Sequence, residues 1–296
     1  MRALVISGGG SKGAFAGGFA EYLINEQKNS YDIMVGTSTG SLLIPLLAIG
    51  EIKKIKDIYT TVGNKDIYNI NPFKFKKGKN GEITSSINHK NTARMFLKKK
   101  KTFGEHKNLL KTIRRTYSPE DHIKAQQSGK SIVVTVSNIS TRSIEYKFAT
   151  DYKYEDFIEW MWASTSFVPF MSLVEKNGFE YADGGFGNYI PIEEAVNLGA
   201  TEIDVIVLTP RHQLIQNAKT NNAFEVLLQS MQFMLRQLGK HDILIGHLES
   251  IYNKDVKANF YFTPRNLTNF SFYFDPKQMS QWWQEGYDHA AKKVGS

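Results

Sequence analysis

Cysteine is absent from this sequence of 296 residues, and so is any long uninterrupted apolar stretch. Without cysteine, the chain can form neither a disulfide framework nor a thiolate metal site. A membrane-spanning helix needs ~20 predominantly apolar residues, and we find no such segment. Residues 1–7 have the character of a strand that leads directly into glycines, unlike the apolar helix and cleavage site of a secretory signal. We therefore expect a cytoplasmic location.

Acidic residues are in the minority, because 29 Asp and Glu against 37 Lys and Arg give a net charge of +8. Much of the basic excess lies in two short segments, residues 74–79 and 98–101. Four phenylalanines lie close to them in sequence: Phe73, Phe75, Phe96 and Phe103. A basic surface favours phosphate-bearing partners, either nucleic acid or an anionic membrane. The alternative is a solvated lysine-rich face with no partner.

The order of the predicted elements indicates the fold class. A strand (residues 2–7), a helix (14–27), a second strand (31–35) and a second helix (41–49) follow one another within the first fifty residues. This alternation is typical of a parallel sheet with helices on its faces. Further strands are predicted at 131–137, 143–149, 179–182, 203–208 and 258–262, and further helices at 156–164, 191–198, 223–248 and 276–292.

The polar, lysine-rich residues 64–127 interrupt this alternation and predict an insertion of short helices and loops. We see no internal repeat and no clear linker. The sequence therefore predicts one α/β domain over residues 1–296: a three-layer sandwich with a mostly parallel central sheet and helices on both faces.

A serine between two glycines lies at the second strand-to-helix turn, in the motif Gly36-Thr37-Ser38-Thr39-Gly40. This is the G-x-S-x-G pattern of a nucleophile elbow, in which a sharp turn exposes the serine hydroxyl. Such a turn drives the serine toward positive φ, and glycines on both sides remove side chains that would clash. By itself the pentapeptide also fits an ordinary Gly/Ser/Thr-rich turn.

A second glycine-rich loop, Gly8-Gly9-Gly10-Ser11-Lys12-Gly13, follows the first strand. It satisfies the G-x-G-x-x-G fingerprint of dinucleotide binding, but no carboxylate ends the following strand to hold a ribose. Asp32 lies at the beginning of that strand. A purely structural turn is a second alternative. The third is an oxyanion hole, because glycines let backbone N–H groups approach a developing negative charge. Adjacent parallel strands would bring this loop beside Ser38.

A nucleophilic serine needs a base, and the sequence offers two candidates. His212 follows a predicted buried strand and could reach the same edge of the sheet. Asp183, in Asp183-Gly184-Gly185, ends another predicted strand and could take the proton directly, although Asp-Gly is also a common turn signal.

Taken together, the three motifs resemble those of the patatin-like phospholipases in order and approximate spacing. Residues 162–169, rich in small residues and ended by a proline, resemble the segment before the family's aspartate, and residues 191–200 resemble the helix after it. The resemblance covers about residues 1–50 and 130–210. It implies hydrolysis of lipid acyl esters by a Ser–Asp dyad without histidine.

The resemblance also assigns roles residue by residue. Ser38 would be the nucleophile and Asp183 the base. Backbone N–H groups around Gly8, Gly9 and Gly10, with Thr39, would form the oxyanion hole. Lys12 stands where the family more often has arginine, and we expect it to contact the substrate phosphate without the planar fork of a guanidinium. The remaining motif glycines are Gly13, Gly36, Gly40, Gly184 and Gly185.

The expected partner is a phospholipid or another acyl-ester lipid, with peripheral contact to an anionic membrane through the lysine-rich segments and their phenylalanines. We expect no metal, no cofactor and no nucleic acid. Two other functions are left open by the residues. One is a binding protein that keeps the fold without catalysis. The other is a nucleotide-binding α/β protein that uses residues 8–13.

Overall fold

The computed structural model describes residues 1–77, 83–211, 220, 222–252 and 255–295. The strands are β1 (Arg2–Ile6), β2 (Ile33–Thr37), β3 (Phe73–Lys77), β4 (Ile83–Ile87), β5 (Ser131–Asn138), β6 (Ser143–Phe148), β7 (Val174–Lys176), β8 (Phe179–Asp183), β9 (Glu202–Pro210) and β10 (Lys257–Thr263). The helices are α1 (Gly13–Asn25), α2 (Thr39–Ala48), α3 (Ile52–Tyr59), α4 (Asn64–Ile67), α5 (His89–Leu97), α6 (Lys107–Thr116), α7 (Pro119–Gln127), α8 (Tyr154–Ser164), α9 (Ile192–Asn197), α10 (Ala223–Tyr252) and α11 (Pro276–Val294).

The central sheet is mostly parallel, as predicted. Its strand order is β10-β9-β1-β2-β5-β8-β7, and β6 also pairs with β5. The pairs from β10 to β5 are parallel, whereas β6, β7 and β8 pair antiparallel. The α/β fold class is therefore confirmed.

The two faces of the sheet bury separate apolar cores. Along β1, Leu4 and Ile6 belong to the larger core with α1, α2 and α11, while Ala3 and Val5 belong to the smaller one with α9. Successive side chains of a strand point to opposite faces, so a strand covered on both faces is apolar at nearly every position. This explains why the β1 sequence shows no polar alternation.

One edge of β5 determines where the carboxyl end of β8 lies. Residues 131–135 of β5 pair with β2, and residues 136–138 pair with β8. Since β6 pairs across residues 133–138, it must occupy the other edge. Strands β2 and β8 thus meet end to end along one edge of β5, with Thr37 opposite Thr135 and Asp183 opposite Val136.

The lysine-rich residues 64–127 contain α4, α5, α6 and α7, in keeping with the predicted short helices. They also contain β3 and β4, a two-stranded antiparallel sheet that the sequence pattern did not predict. Residues 78–82, including Lys79, lie outside the described residues. Among the helices that are described, none combines the length and apolarity needed to cross a bilayer.

Helices α1 and α11 approach each other closely at glycines. A Cβ built on Gly18 would overlap the carbonyl oxygen of Trp283, and one built on Gly286 would overlap that of Phe15. Trp283 itself is 1% exposed. The tryptophan therefore fills a space that exists only because α1 carries glycine where most helices carry a side chain.

We predict that Gly18→Ala destabilises the fold by about 1–3 kcal/mol, because the added methyl group forces two packed backbones apart. The free energy of unfolding in urea measures the effect. Gly63→Ala is the matched control, since a Cβ at Gly63 meets its nearest neighbour at 3.8 Å. Equal stability of the two variants would show that the α1–α11 contact is looser than described.

Candidate active site

Ser38 lies at the tip of the turn between β2 and α2, with φ 55° and ψ −121°. A non-glycine residue in that region carries a strain of roughly 1–3 kcal/mol. The flanking positions have room for glycine alone. A Cβ on Gly36 would lie 2.5 Å from the carbonyl carbon of Gly40, and one on Gly40 would overlap the carbonyl oxygen of Ile6. The turn is therefore as sharp as the G-x-S-x-G pattern predicted.

Two buried serines hold this strained turn in place. The N–H of Ser38 donates to Oγ of Ser164 at 3.0 Å, and Ser164 donates to the carbonyl oxygen of Thr135 at 2.7 Å. Ser41 lies 2.8 Å from Ser164 and donates to the carbonyl oxygen of Gly36 at 2.7 Å. The elbow is thereby tied to α8 and to β5, so Ser38 cannot relax without breaking buried hydrogen bonds.

The structure brings Ser38 and Asp183 together. Oγ of Ser38 donates a hydrogen bond to Oδ2 of Asp183 at 2.7 Å. The other carboxylate oxygen, Oδ1, accepts a hydrogen bond from the N–H of Gly185 at 2.8 Å. The N–H of Asp183 donates to the carbonyl oxygen of Ser166 at 2.9 Å. A Cβ on Gly184 would overlap the carbonyl oxygen of Thr135. Glycine at that position lets the chain turn tightly enough to hold the carboxylate.

Burial changes the acidity of this carboxyl group. Asp183 is 6% exposed, and the loss of hydration raises its pKa to about 7. The hydrogen bonds from Gly185 and Ser38 act in the opposite direction, because they stabilise the charged form. No cation pairs with the carboxylate among the described ion pairs. Near neutral pH, the group is poised between accepting and releasing a proton.

The first glycine loop lies beside the elbow, because β1 and β2 are parallel neighbours. The N–H of Gly8 donates to the carbonyl oxygen of Tyr189 at 3.1 Å, so it is already engaged. Within the described part of the chain, the N–H groups of Gly9 and Gly10 have no acceptor. Thr39 begins α2, so its N–H has no acceptor within its own helix. Gly9, Gly10 and Thr39 therefore keep donors available near Ser38.

Lys12 lies apart from this group. Its Nζ donates to the carbonyl oxygen of Leu208 at 2.5 Å, and it is not among the residues that line the pocket at Ser38. Burial, with a smaller contribution from Arg236, lowers the pKa of Lys12 to about 8. Gly13 is required on the same turn, since a Cβ there would overlap Oγ1 of Thr39. His212, the alternative base, lies outside the described residues.

A pocket opens directly from Ser38 and Asp183. Its volume is about 90 Å³. Its wall is mostly apolar and comes from α2, α3, α4, α6, α8 and α11 and from the segments between helices; the apolar members include Leu42, Leu46, Ile55, Ile58, Val62, Ile67, Leu109, Ile113, Met161, Met171, Phe272, Phe274 and Met279. The pocket can therefore enclose an unbranched hydrocarbon chain next to the Ser38 hydroxyl.

Several residues that shape the site were not predicted from the sequence. Ser164 and Ser41 position Ser38, and the hydroxyl of Tyr59 lies 2.5 Å from Oγ1 of Thr39. The ring of Tyr189 lies close to both Gly8 and Gly185. For Ser41 and Ser164, the sequence offered one signal: they are short polar residues close to the motifs. Tyr59 and Tyr189 depend on tertiary packing, so no local pattern identified them.

The phenylalanines near the lysine-rich segments differ in their accessibility. Phe73 is buried in an aromatic cluster with Phe170 and Phe272, so its assignment to membrane contact was wrong. Phe75 is partly buried against the same core, as is Phe103. Phe96 is 60% exposed and is the one of the four whose ring is open to solvent.

An α/β sheet carrying a serine on a strained strand-to-helix turn defines the class of proteins with a nucleophile elbow. A sequence profile described as Patatin-like phospholipase matches residues 4–196. The chain therefore belongs to the patatin-like phospholipase family, a family of lipid acyl hydrolases, as its motifs had indicated.

Two relatives illustrate this relationship. "Uncharacterized protein YjjU" of Escherichia coli (strain K12) is 26% identical over 213 residues, which cover 70% of this chain and 52% of that protein. The chain thus spans about half the length of this curated relative. The crystal structure of VipD from Legionella pneumophila aligns with a TM-score of 0.56 at 15% identity, covering 98% of this chain and 66% of that one. This second likeness concerns the fold alone.

We predict that Ser164→Ala lowers the free energy of unfolding by about 1–3 kcal/mol, because it leaves the Ser38 N–H buried without an acceptor. Urea unfolding measures the loss. Ser11→Ala is the matched control: both serines are fully buried, but the Ser11 hydroxyl has no hydrogen-bond partner among the described residues. We expect that control to be neutral or slightly stabilising. A neutral Ser164→Ala would mean that the elbow does not depend on this hydroxyl.

Proposed function

We propose that this protein is a serine hydrolase that cleaves fatty-acyl ester bonds of phospholipids through a Ser38–Asp183 dyad and an acyl-enzyme. The single observation that carries the proposal is the 2.7 Å hydrogen bond from Ser38 to Asp183 at the mouth of an apolar pocket. Family membership supports a lipid substrate. The strained elbow and the buried carboxylate supply the activated nucleophile that ester hydrolysis requires.

In the proposed mechanism, Oγ of Ser38 attacks the ester carbonyl while its proton passes to Oδ2 of Asp183. The N–H groups of Gly9, Gly10 and Thr39 stabilise the oxyanion, a contribution that is typically worth ~3 kcal/mol for each donor. Asp183 then returns the proton to the departing alcohol oxygen. A water molecule, deprotonated by Asp183, attacks the acyl-enzyme; the bond to Oγ breaks, Asp183 returns the proton to Oγ of Ser38, and the fatty acid leaves. The acyl chain occupies the apolar pocket throughout.

The geometry favours this reaction over nucleotide binding by the first glycine loop. Gly10, with φ 57°, faces the backbone of Ser271 so closely that an added Cβ would overlap the Ser271 carbonyl oxygen. The same oxygen accepts the N–H of Ser11 at 2.9 Å. A pyrophosphate needs donors at this position, whereas the loop meets an acceptor there. Gly10, whose N–H has no acceptor among the described residues, also lines the pocket at Ser38, which supports a role in ester hydrolysis.

The dyad is tested by Ser38→Ala and Asp183→Asn, assayed on a short-chain nitrophenyl ester. Both variants should lose at least about a thousandfold in kcat/KM, because the nucleophile or its base is removed. A fluorophosphonate probe should label the native protein and spare Ser38→Ala. His212→Ala should keep its activity, since only a triad depends on histidine.

Four results contradict the proposal in different ways. Native-like turnover by Ser38→Ala or Asp183→Asn excludes the dyad, and collapse of His212→Ala indicates a triad. Absence of both labelling and turnover in the native protein indicates a non-catalytic binding protein. A thermal shift with NAD or NADP in an unlabelled protein indicates nucleotide binding.

The pKa of Asp183, raised to about 7 by burial, predicts the pH dependence. The carboxylate is the active form, and it is the minor form below that pKa. We therefore expect kcat/KM to rise about tenfold per pH unit below 7 and to level off above it. Initial rates between about pH 5 and 9, corrected for spontaneous hydrolysis, measure the profile. Tryptophan fluorescence at each pH controls for unfolding. A profile that stays flat over this range would show that no base with a pKa near 7 controls the reaction.

A further inference from the structure

Helix α10 is apolar on two opposite sides, and only one of them is covered. Its inner side contains Leu228, Met231, Gly239 and Gly246, which are buried. Its outer side exposes large apolar residues, here called the apolar stripe: Val226, Leu227, Phe233, Met234, Leu244, Ile245, Leu248, Ile251 and Tyr252. A helix that is apolar all round is normally buried. We therefore expect the outer side of α10 to bind another surface.

The members of the apolar stripe share one face of the helix. Val226, Phe233, Leu244 and Ile251 recur at intervals of two and three turns, which places them in line. Phe233 is 62% exposed and Ile251 is 66% exposed. A helix of 30 residues is about 45 Å long, so the stripe is extended. Scattered exposed apolar residues are ordinary, but two clusters of them on one face of a helix, at 226–234 and 244–252, mark an interaction surface.

The apolar stripe lies on the helix that covers the candidate active site. On the inner side of α10, Leu235 lies 3.6 Å from a Cβ built on Gly185, next to Asp183. A Cβ built on Gly239 would approach the ring of Tyr189 at 3.0 Å. Asp242 accepts the N–H of Ile190 at 2.8 Å. A surface that binds the apolar stripe is therefore held about one helix diameter, ~10 Å, from the catalytic loops.

Basic side chains border the apolar stripe. Between its two halves, Arg236 and Lys240 are exposed cations. Near the beginning of α10, the ring of Phe224 on the inner side contacts Phe103, which in turn contacts Phe96. Phe96 and Leu97 are both strongly exposed, and the exposed Lys98, Lys99 and Lys100 follow. Within the described ion pairs, Lys101 pairs with Glu175 and Glu180, whereas those three lysines have no partner.

This combination of charge and apolar surface selects between possible occupants. An antiparallel pairing of two copies about the middle of α10 would bring Arg236 of one copy against Lys240 of the other, which like-charge repulsion opposes. The surface of an anionic bilayer offers phosphate oxygens to the cations and acyl chains to the stripe. Helices with one apolar face and basic borders bind in this way.

We infer that the apolar stripe of α10, together with Phe96 and Leu97, is the surface by which the protein docks on an anionic lipid bilayer. This inference rests on the proposed function only for its choice of a lipid partner. It extends that function by assigning membrane contact mainly to α10, with the lysines after α5 supplying charge. The docked enzyme takes its substrate from the surface that it binds.

Binding is tested by flotation with vesicles of phosphatidylcholine alone and of phosphatidylcholine mixed equally with phosphatidylglycerol. All binding measurements use a Ser38→Ala background, so that the vesicles stay intact. Phe233→Ser combined with Met234→Ser should weaken binding to the anionic vesicles by about tenfold or more. Replacement of Lys98, Lys99 and Lys100 by serine should remove most of the preference for anionic over neutral vesicles.

The matched control is Ile123→Ser on α7, an exposed apolar residue outside the stripe. Its binding should equal that of the unmodified background. In the active chain, Phe233→Ser with Met234→Ser should reduce hydrolysis of vesicle phospholipid while leaving turnover of a soluble short-chain ester unchanged. That unchanged turnover also shows that the variant folds.

The inference is overturned if the double variant binds anionic vesicles as the background does, or if Ile123→Ser weakens binding equally. It is also overturned if light scattering shows a dimer that the double variant dissociates without any change in vesicle binding. Failure of the proposed function is a separate result. In that case the native chain would bind vesicles through the stripe but turn over neither soluble ester nor phospholipid.

Discussion

A carboxylate buried against a hydroxyl, with no cation beside it among the described residues, is the feature on which the rest of this molecule depends. Asp183 gives up most of its hydration, and within the described part of the chain Ser38 and Gly185 are its hydrogen-bond donors. Its charged form is therefore costly, and the surrounding chain must hold it rigidly for the hydrogen bond to persist. The glycines, the buried serines and the end-to-end strands all serve that requirement.

The placement of β2 and β8 along one edge of β5 explains how two residues far apart in sequence become neighbours. Thr37 and Asp183 occupy consecutive positions opposite β5, so the residue after Thr37 meets the carboxylate without any long loop between them. Backbone hydrogen bonds on regular strands fix the separation more precisely than loops would. The register of the sheet thus sets the distance between Ser38 and Asp183 that the proposed chemistry needs.

The sequence predicted much of this arrangement, because its key turns leave little steric choice. Gly36, Gly40 and Gly184 lie where any side chain would strike the backbone, so the motifs could be recognised locally. Leu4 and Val5 face opposite cores. Because both faces of β1 are buried, its sequence is a continuous apolar run, and this run predicted the strand.

Other features could not be predicted, because they depend on distant segments. The antiparallel direction of β8 follows from pairing with β5, and the role of Tyr189 follows from its contact with Gly8. Phe73 lies in a lysine-rich segment whose composition suggested exposure, yet aromatic packing buries it. Residues 223–248 were predicted as a helix, but the sequence did not reveal which side of that helix the protein covers.

The contact between α1 and α11 has a consequence for biosynthesis. Gly17 and Gly18 pack against Trp283, and the backbone of Phe15 lies against Gly286; both partners are translated long after α1. Contacts of such wide sequence separation form late and slowly. While the chain is being made, the first helix has no native partner on this face, and the nascent chain exposes an apolar surface to chaperones until the last helix has emerged.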